Sequence, residues 1–574
     1  MTTPTSSSPA SSVPSEASGS AQRGDGPGAS ASGEPRGGLI RSTALVSAAV
    51  TASRFLGLLR EQLFAALLGA GMWADAFVVA FRIPNLLRDL FAEGALSAAF
   101  VPTFTRVEKE RGPDAAHQLA NKLVGALLIV VGAITILAAI FAEQIVFLLA
   151  SGFFEVPGKA ELTALLARVM MPFLLALSLA AVMMGMLNAR GAFGTPALAP
   201  ALFNLTAIAV GVGLKIAGAG DRTAVIGWSI GTLLGGFAQF AVQLPALRRF
   251  GYRLRPAFGA LWRDRDLRHI ALLMAPATIG LAATEANIFI NTQFASQQPG
   301  ANAWLNYAFR LMYLPIGVFG VAVATVTMSA LSRRAAERDL AGMKSSLSQA
   351  IQLTGFLALP SMVGLAVMSE PLIRLIYEYG RFTSEDARHT ALALCGYALG
   401  LFAYSGVKVT APAFYALSLP RLPLFGSLSA VAVNLGFNLL FFDRLGYLSL
   451  AIGTSLGAWV NFAILSIAFA RRTRGQPGTR GVARELFKAA LAAAVMGACV
   501  LGFLRLGLVA FTRAAIDDSG FWARLVLAVG GVGVGVAVYG LMCLALRVES
   551  LRPLVAALKR RLGRRRSMAD ESRA

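Results

Sequence analysis

From Leu39 to Leu546 the chain is a succession of long apolar stretches separated by short polar breaks. The stretches lie near 43–69, 75–103, 118–142, 161–189, 197–217, 223–246, 269–294, 302–331, 347–369, 388–416, 422–442, 446–470, 484–507 and 521–546. Each is long enough for a helix that crosses a bilayer, which needs about 20 apolar residues. Lipid offers no partner to a bare peptide group, so such segments must close their own hydrogen bonds as helices. Of the 574 residues, 56% are hydrophobic and 14% charged, with mean hydropathy +0.64. A soluble protein carries about 25% charged residues. The pattern excludes a soluble enzyme, a disordered scaffold and a disulfide-stapled secreted domain. The expected fold is an all-α polytopic membrane protein of about fourteen transmembrane helices.

The ends and loops divide the chain further. Residues 1–38 are rich in Ser, Pro, Gly and Ala and cannot bury enough surface to offset the entropy of ordering, so a disordered tail is expected. Lys and Arg concentrate on alternate loops: Arg106, Lys109 and Arg111; Arg248 to Arg268; Arg333 to Lys344; Arg471 to Arg484; and the tail Lys559 to Arg566. The intervening loops are poor in cations, 151–160 holding only Lys159. By the positive-inside tendency both termini are cytoplasmic. The same tendency accounts for the net charge of +22, which makes anionic membrane lipids the expected partners and not nucleic acid.

An internal repeat sets the architecture. Residues 80–106 align without gaps to 308–334, an offset of 228, with six of 27 positions identical, including Arg82/Arg310 and Arg106/Arg334. The expectation is two six-helix lobes in parallel pseudo-repeat, 39–247 and 269–472, joined by a basic cytoplasmic loop 248–268. Two additional transmembrane helices follow within 473–547, then a basic tail, 548–574. Repeats of this kind place the substrate between the lobes.

Charged residues inside the apolar stretches carry the functional signal, because each costs about 2.5–3.5 kcal/mol at bilayer depth. They are Arg54, Arg60 and Glu61 in the first stretch, Asp75, Arg82, Arg88, Asp89 and Glu93 in the second, Arg310 in the eighth and Lys408 in the tenth. Arg54 and Arg60 are six apart, about 240° around a helix, whereas Arg54 and Glu61 share a face. Glu61, Arg82 and Asp89 also fit ordinary interhelical ion pairs. Arg54, Arg60 and Arg88 point to a cavity for an anion, and an arginine fork suits a pyrophosphate. Asp75 should find a cavity arginine or the backbone N–H groups of a helix start. Pro84, Pro102, Pro172, Pro196, Pro200, Pro276, Pro315 and Pro412 are candidate bending points. Cys395, Cys499 and Cys543 have no metal-ligand or disulfide spacing, and there is no phosphate-binding loop or nucleophile elbow. Transport would draw on an ion gradient or the membrane potential.

The run Ser53-Arg54-Phe55-Leu56-Gly57-Leu58-Leu59-Arg60-Glu61, with Asp75-Ala76-Phe77, Arg82-Ile83-Pro84-Asn85-Leu86-Leu87-Arg88 and Phe91-Ala92-Glu93-Gly94-Ala95, resembles the MurJ/MviN lipid II flippases of the MOP exporter superfamily. Leu187-Asn188, Ile290-Asn291-Thr292, Arg310-Leu311-Met312 and Val407-Lys408-Val409 extend the match over about 40–545. The resemblance implies a transporter, not an enzyme. Its task would be to move the undecaprenyl-pyrophosphate-linked peptidoglycan precursor from the inner to the outer leaflet of the bacterial cytoplasmic membrane by alternating access. It implies substrate binding at Arg54, Arg60, Arg88, Arg310 and Lys408, gating at Asp75 and Glu93, and a lipid-tail groove on the two C-terminal helices. Some relatives bind sodium among spans 7, 11 and 12, where Glu285, Asn434, Asn438 and Thr454 stand here; Asn and Thr there also fit interhelical bonding. Lipid II and cell-wall synthesis proteins are the implied partners. Two departures concern the cavity charge: Phe309 stands where some relatives have an acid, and Asp89 where some have a base. A MOP-type exporter of another lipid-linked oligosaccharide or of drugs is the alternative, and a non-transporting anchor a further one.

Overall fold

The computed structural model describes residues 36–88, 94–259, 261–476, 481–513 and 520–551. Among them there is no strand. The helices are α1 Arg36–Leu68, α2 Met72–Arg88, α3 Gly94–Arg111, α4 Pro113–Ile140, α5 Ala142–Leu149, α6 Lys159–Met170, α7 Pro172–Ala189, α8 Gly194–Ile216, α9 Asp221–Ala241, α10 Leu244–Arg249 and α11 Arg265–Ala295. They continue as α12 Ala301–Pro315, α13 Val321–Ala336, α14 Leu340–Val367, α15 Ser369–Tyr377, α16 Ser384–Ala398, α17 Leu401–Ala416, α18 Arg421–Leu445, α19 Tyr447–Arg472, α20 Val482–Arg513 and α21 Phe521–Ala545.

Ten helical spans among the described residues are long and apolar enough to cross a membrane, eleven if α16 and α17 count as one bent span. The expected fourteen would need three more, at α1, at α2 with α3, and at α11. Residues 89–93, with Asp89 and Glu93, lie outside the described residues. Helix α1 begins at Arg36, inside the expected tail of 1–38. The chain bends by 43° between α16 and α17, at Leu399–Gly400, and not at Pro412, which sits inside α17. Pro84, Pro102 and Pro200 are likewise carried within helices, while Pro315 precedes a π-helical turn over 316–320.

The repeat is visible in the helix bounds. Adding 228 to the ends of α2 and α3 (72, 88, 94, 111) gives 300, 316, 322 and 339; α12 and α13 run 301–315 and 321–336. In the first half α2 packs on α6, α7 on α9, α8 on α1 and α9, and α3 on α4 and α7; in the second, α12 packs on α16, α13 and α14 on α17, and α18 on α19. Helices α20 and α21 attach to α14. The halves meet where α11 crosses α3 and α2 faces α12.

The basic connection between the halves is a strap laid on α4. Asn121 accepts hydrogen bonds at its side-chain oxygen from the Tyr252 hydroxyl (2.8 Å) and the Arg255 amide (3.0 Å), and its carbonyl accepts from the Ala257 amide (3.1 Å). A Cβ on Gly125, one turn on, would stand 2.1 Å from the Ala257 carbonyl, so only glycine lets the strap lie this close. Asp264 caps α11 and pairs with Lys122 at 2.7 Å.

Candidate functional site

A cavity of about 490 Å³ opens between the halves, lined by Arg54, Arg60, Glu61, Arg88 and Arg310 with Phe81, Phe173 and Phe203. It continues into a second space of about 470 Å³ that shares Arg60, Glu61, Arg88 and Arg310 and adds Arg82, Glu285 and Trp228. Among the described residues of these two linings, five arginines face two glutamates, an excess of positive charge in walls of low dielectric. Such an excess is tolerable only with water or an anion present.

Glu61 organises the centre. Its Oε1 pairs with Arg310 Nε at 2.8 Å and with Arg60 Nη2 at 3.5 Å, so one carboxylate holds an arginine from each half. Arg60, read as facing an anion, thus shares a counter-ion with Arg310, while Arg54, which shares a helical face with Glu61, is not one of its ion-pair partners. The Arg60 guanidinium also lies 5.2 Å from the Phe203 ring centroid, a cation–π distance. Arg310 keeps half of its side-chain surface open. Arg82 donates to the Thr292 hydroxyl of α11. Phe309 lines the second space and packs edge-on to Tyr397, so the position before Arg310 supplies an aromatic wall.

Lys408 does not line either space. Its ammonium meets Tyr313, 3.3 Å from the hydroxyl, and Tyr313 in turn faces the cavity. Of the two expected gating residues, Glu93 lies outside the described residues. Asp75 is fully buried near the start of α2. Its partner is not a cavity arginine. Oδ2 accepts from Lys159 Nζ at 2.8 Å and from the Gly300 amide at 2.7 Å, and Oδ1 from the Ala303 amide at 3.0 Å. Asp75 therefore receives the exposed N–H groups at the start of α12, the other half's counterpart of its own helix. Lys159 escaped the sequence reading as a site; its only signal was that it is the lone cation of its loop.

Asn434, Asn438 and Thr454 do come together, with Asn287 and Asn291 of α11. Asn434 Nδ2 donates to both Asn287 (2.7 Å) and Asn291 (2.8 Å), and Asn291 Nδ2 donates to Thr454 Oγ1 at 2.8 Å. These are neutral oxygen donors of the kind a hard cation takes. The amides here spend themselves on one another across three helices, leaving the buried Asn438 Oδ1 without a hydrogen bond. The set suits an interhelical joint directly, and a small cation through that oxygen and its neighbours. No group of three or more His, Cys, Asp or Glu side chains forms a metal site among the described residues.

A third space, about 540 Å³, is almost wholly apolar and runs between α14, α20 and α21, lined by Phe356, Met368, Leu372, Met496, Val500 and Gly535 among others. It reaches the cationic cavity's side of the fold at Pro315, next to Leu314 of the cavity wall.

The family described as "Lipid II flippase MurJ" matches residues 64–513. A "Probable lipid II flippase MurJ" of Vibrio cholerae is 33% identical over 531 residues, covering 90% of this chain and 98% of the relative. A "Lipid II flippase MurJ" of Burkholderia cenocepacia is 33% identical, covering 76% and 85%. The solved structure titled "Lipid II flippase MurJ, inward closed conformation" superposes with TM-score 0.71 at 25% identity over 89% of this chain and all of the other. A multidrug resistance MATE family transporter of the MOP superfamily shares the fold, with TM-score 0.61 at 18% identity. With its repeat, its cationic cavity and these relatives, the chain is a multi-pass membrane protein that belongs to the MurJ family of lipid II flippases.

Proposed function

We propose that the chain binds the pyrophosphate of lipid II in the arginine-lined cavity and carries it across the cytoplasmic membrane from the inner to the outer leaflet by alternating access. The carrying observation is a lining of five arginines, two of which, Arg60 and Arg310 on opposite halves, share Glu61. Arg60 and Arg310 are preorganised by Glu61, and a pyrophosphate entering between them offers more acceptor oxygens than that carboxylate does. Bidentate arginine contacts would favour it over a single charge. The undecaprenyl chain, being apolar, fits the groove of α14, α20 and α21, which leaves the headgroup in the polar cavity. The Lys and Arg asymmetry of the loops supports an orientation with the strap side inward, both termini cytoplasmic, and the Asp75 end outward.

Alternating access follows from what ties the halves. Asp75, Lys159 and the start of α12 hold the outer end together, while Glu61–Arg310 ties the middle. Anion binding competes for Arg310 and so weakens the middle tie. Coupling to sodium would place the ion among the oxygens of Asn287, Asn291, Asn434, Asn438 and Thr454; the membrane potential, acting on a lipid-linked anion, is a source of drive that needs no such site. An exporter of cationic drugs, the reading that the MATE likeness invites, does not fit a cavity of net positive charge.

The test is complementation of a bacterium depleted of its own lipid II flippase. The chain should restore growth. Arg60→Ala, Arg88→Ala and Arg310→Ala should abolish it at normal membrane abundance, and the lysine variants should restore it in part. Normal growth of the alanine variants would refute the cavity assignment.

A further inference from the structure

The outer end holds a second crossing between the halves, at the turn 378–383 that joins α15 to α16. The Arg381 guanidinium of this turn pairs with the carboxylate of Asp221, the first residue of α9. The Arg381 amide donates to the Ala66 carbonyl near the end of α1 at 2.9 Å. A Cβ on Gly380 would lie 2.3 Å from that carbonyl, and one on Gly69 would lie 2.9 Å from the Arg381 carbonyl. Both glycines have positive φ, 60° and 72°, so this backbone-to-backbone approach needs glycine on each side.

The turn is anchored at its other end to the last helix. Glu378 accepts from the Ser384 hydroxyl at 2.6 Å and pairs with Arg524 of α21 at 3.3 Å. Arg524 also donates to the Glu378 carbonyl at 2.6 Å. Helix α15, which delivers the turn, starts beside the apolar groove: Met368 and Leu372 line it together with Gly531 and Val532 of α21. One short helix thus has the groove at its first turn and the inter-half crossing just past its last.

We propose that residues 378–381 form a second outer latch, distinct from Asp75. In it, Arg381 grips Asp221 and the end of α1, while Glu378 and Arg524 tie the turn to the C-terminal hairpin. The hairpin then helps to keep the cavity shut on the outer side, and the groove it shares with α15 lies against the latch. Arg381 and Arg524 are positioning residues for transport in this scheme, touching no part of the substrate headgroup. Arg381 is half exposed in its pair with Asp221, and pairs open to solvent in this way are weak; a latch that must release every cycle should be weak. The proposal rests on the flippase reading and on its orientation.

The test uses the full chain with its three cysteines replaced by serine and Ser53→Cys as a reporter in the cavity wall. Intact cells receive a membrane-impermeant maleimide from outside, and the labelling rate is measured at matched abundance. Arg381→Gln and Asp221→Asn should each raise the rate about two- to fivefold, the range a half-exposed ion pair supports. The double variant should do no more than the stronger single one. Arg524→Gln should also raise it. Lys215→Gln removes the other partner of Asp221, 2.8 Å away but within the first half, and should leave the rate unchanged. Unchanged labelling in Arg381→Gln and Asp221→Asn, or an equal rise in Lys215→Gln, would overturn the latch. A rise in those two variants with none in Arg524→Gln would overturn the hairpin's part in it. Asp75→Asn in the same background separates the two levels. If it raises labelling while Arg381→Gln does not, the latch alone fails. If the variants raise labelling only from the cytoplasmic side, as read on inverted vesicles, the orientation fails, and the latch with it.

Discussion

Asp75→Asn tests the outer closure through one atom. The carboxylate is fully buried and its Lys159 partner has 3% of its side chain exposed. Removing one member of such a pair costs about 3–5 kcal/mol, because the remaining charge stays in low dielectric. Asparagine keeps one oxygen, enough for the Ala303 amide, but its NH2 group then faces two donors, Lys159 Nζ and the Gly300 amide. The Phe153 ring, 3.9 Å from that ammonium, is present before and after the change and compensates for nothing new. At about 1.4 kcal/mol per tenfold, the closed arrangement loses roughly two to three and a half orders of magnitude against an open one. External maleimide labelling of a cavity cysteine should rise accordingly, and the melting temperature of the purified protein should fall. Lys159→Met in the same chain removes the stranded ammonium, so the double variant should melt higher than Asp75→Asn alone. Wild-type labelling and melting in Asp75→Asn, or strictly additive losses in the pair, would refute the reasoning.

Gly125→Ala should push the strap off α4, since its Cβ meets the Ala257 carbonyl at 2.1 Å; overpacking of this kind costs about 1–3 kcal/mol, read as faster proteolysis at 250–264. Burial alone would raise the Asp264 carboxyl, but Lys122 and the first amides of α11 hold it below the ordinary range. A depressed group contributes stability that is present above its unfolded value, about pH 4, and lost below it, so amide exchange of the strap should accelerate only on strong acidification. Asp264→Asn should keep the cap and abolish that pH dependence. Gly535→Leu should fill the apolar groove and stop growth in the complementation assay, whereas Gly535→Ala, whose Cβ meets only ordinary contacts at 3.5 Å and beyond, should not.

Much of this site was legible because charge in an apolar helix is costly. Arg54, Arg60, Arg88 and Arg310 announced themselves by depth, and the offset of 228 that pairs Arg82 with Arg310 also relates Asp75 to Ala303, the residue whose amide it accepts. What stayed hidden depends on which faces meet. Glu61 sits beside Arg60 and shares a face with Arg54, yet its tightest partner is Arg310, 249 residues away. Lys159 falls in what the sequence reads as the loop 151–160, although it opens α6, and Arg381 stands in a turn; a lone cation at such a place reads as solvated, and only the closed outer end buries the first and pairs the second. The bend lies at Leu399–Gly400, where a Cβ on Gly400 would stand 2.8 Å from the Ser455 Cα, and not at the nearby Pro412. Lys408 was expected in the cavity by its depth, but Tyr313 stands between.

The central claim is that lipid II crosses the membrane through the arginine cavity, and leaflet transfer measures it most directly. Cells depleted of their own flippase and supplied with this chain are converted to spheroplasts, and lipid II exposed outside is cleaved by an added enzyme that cuts its pyrophosphate link. The account predicts cleavage with the intact chain and a fall to the depleted background with Arg60→Ala or Arg310→Ala at equal abundance. Cleavage at the intact level in both arginine variants, or none with the intact chain, would contradict it.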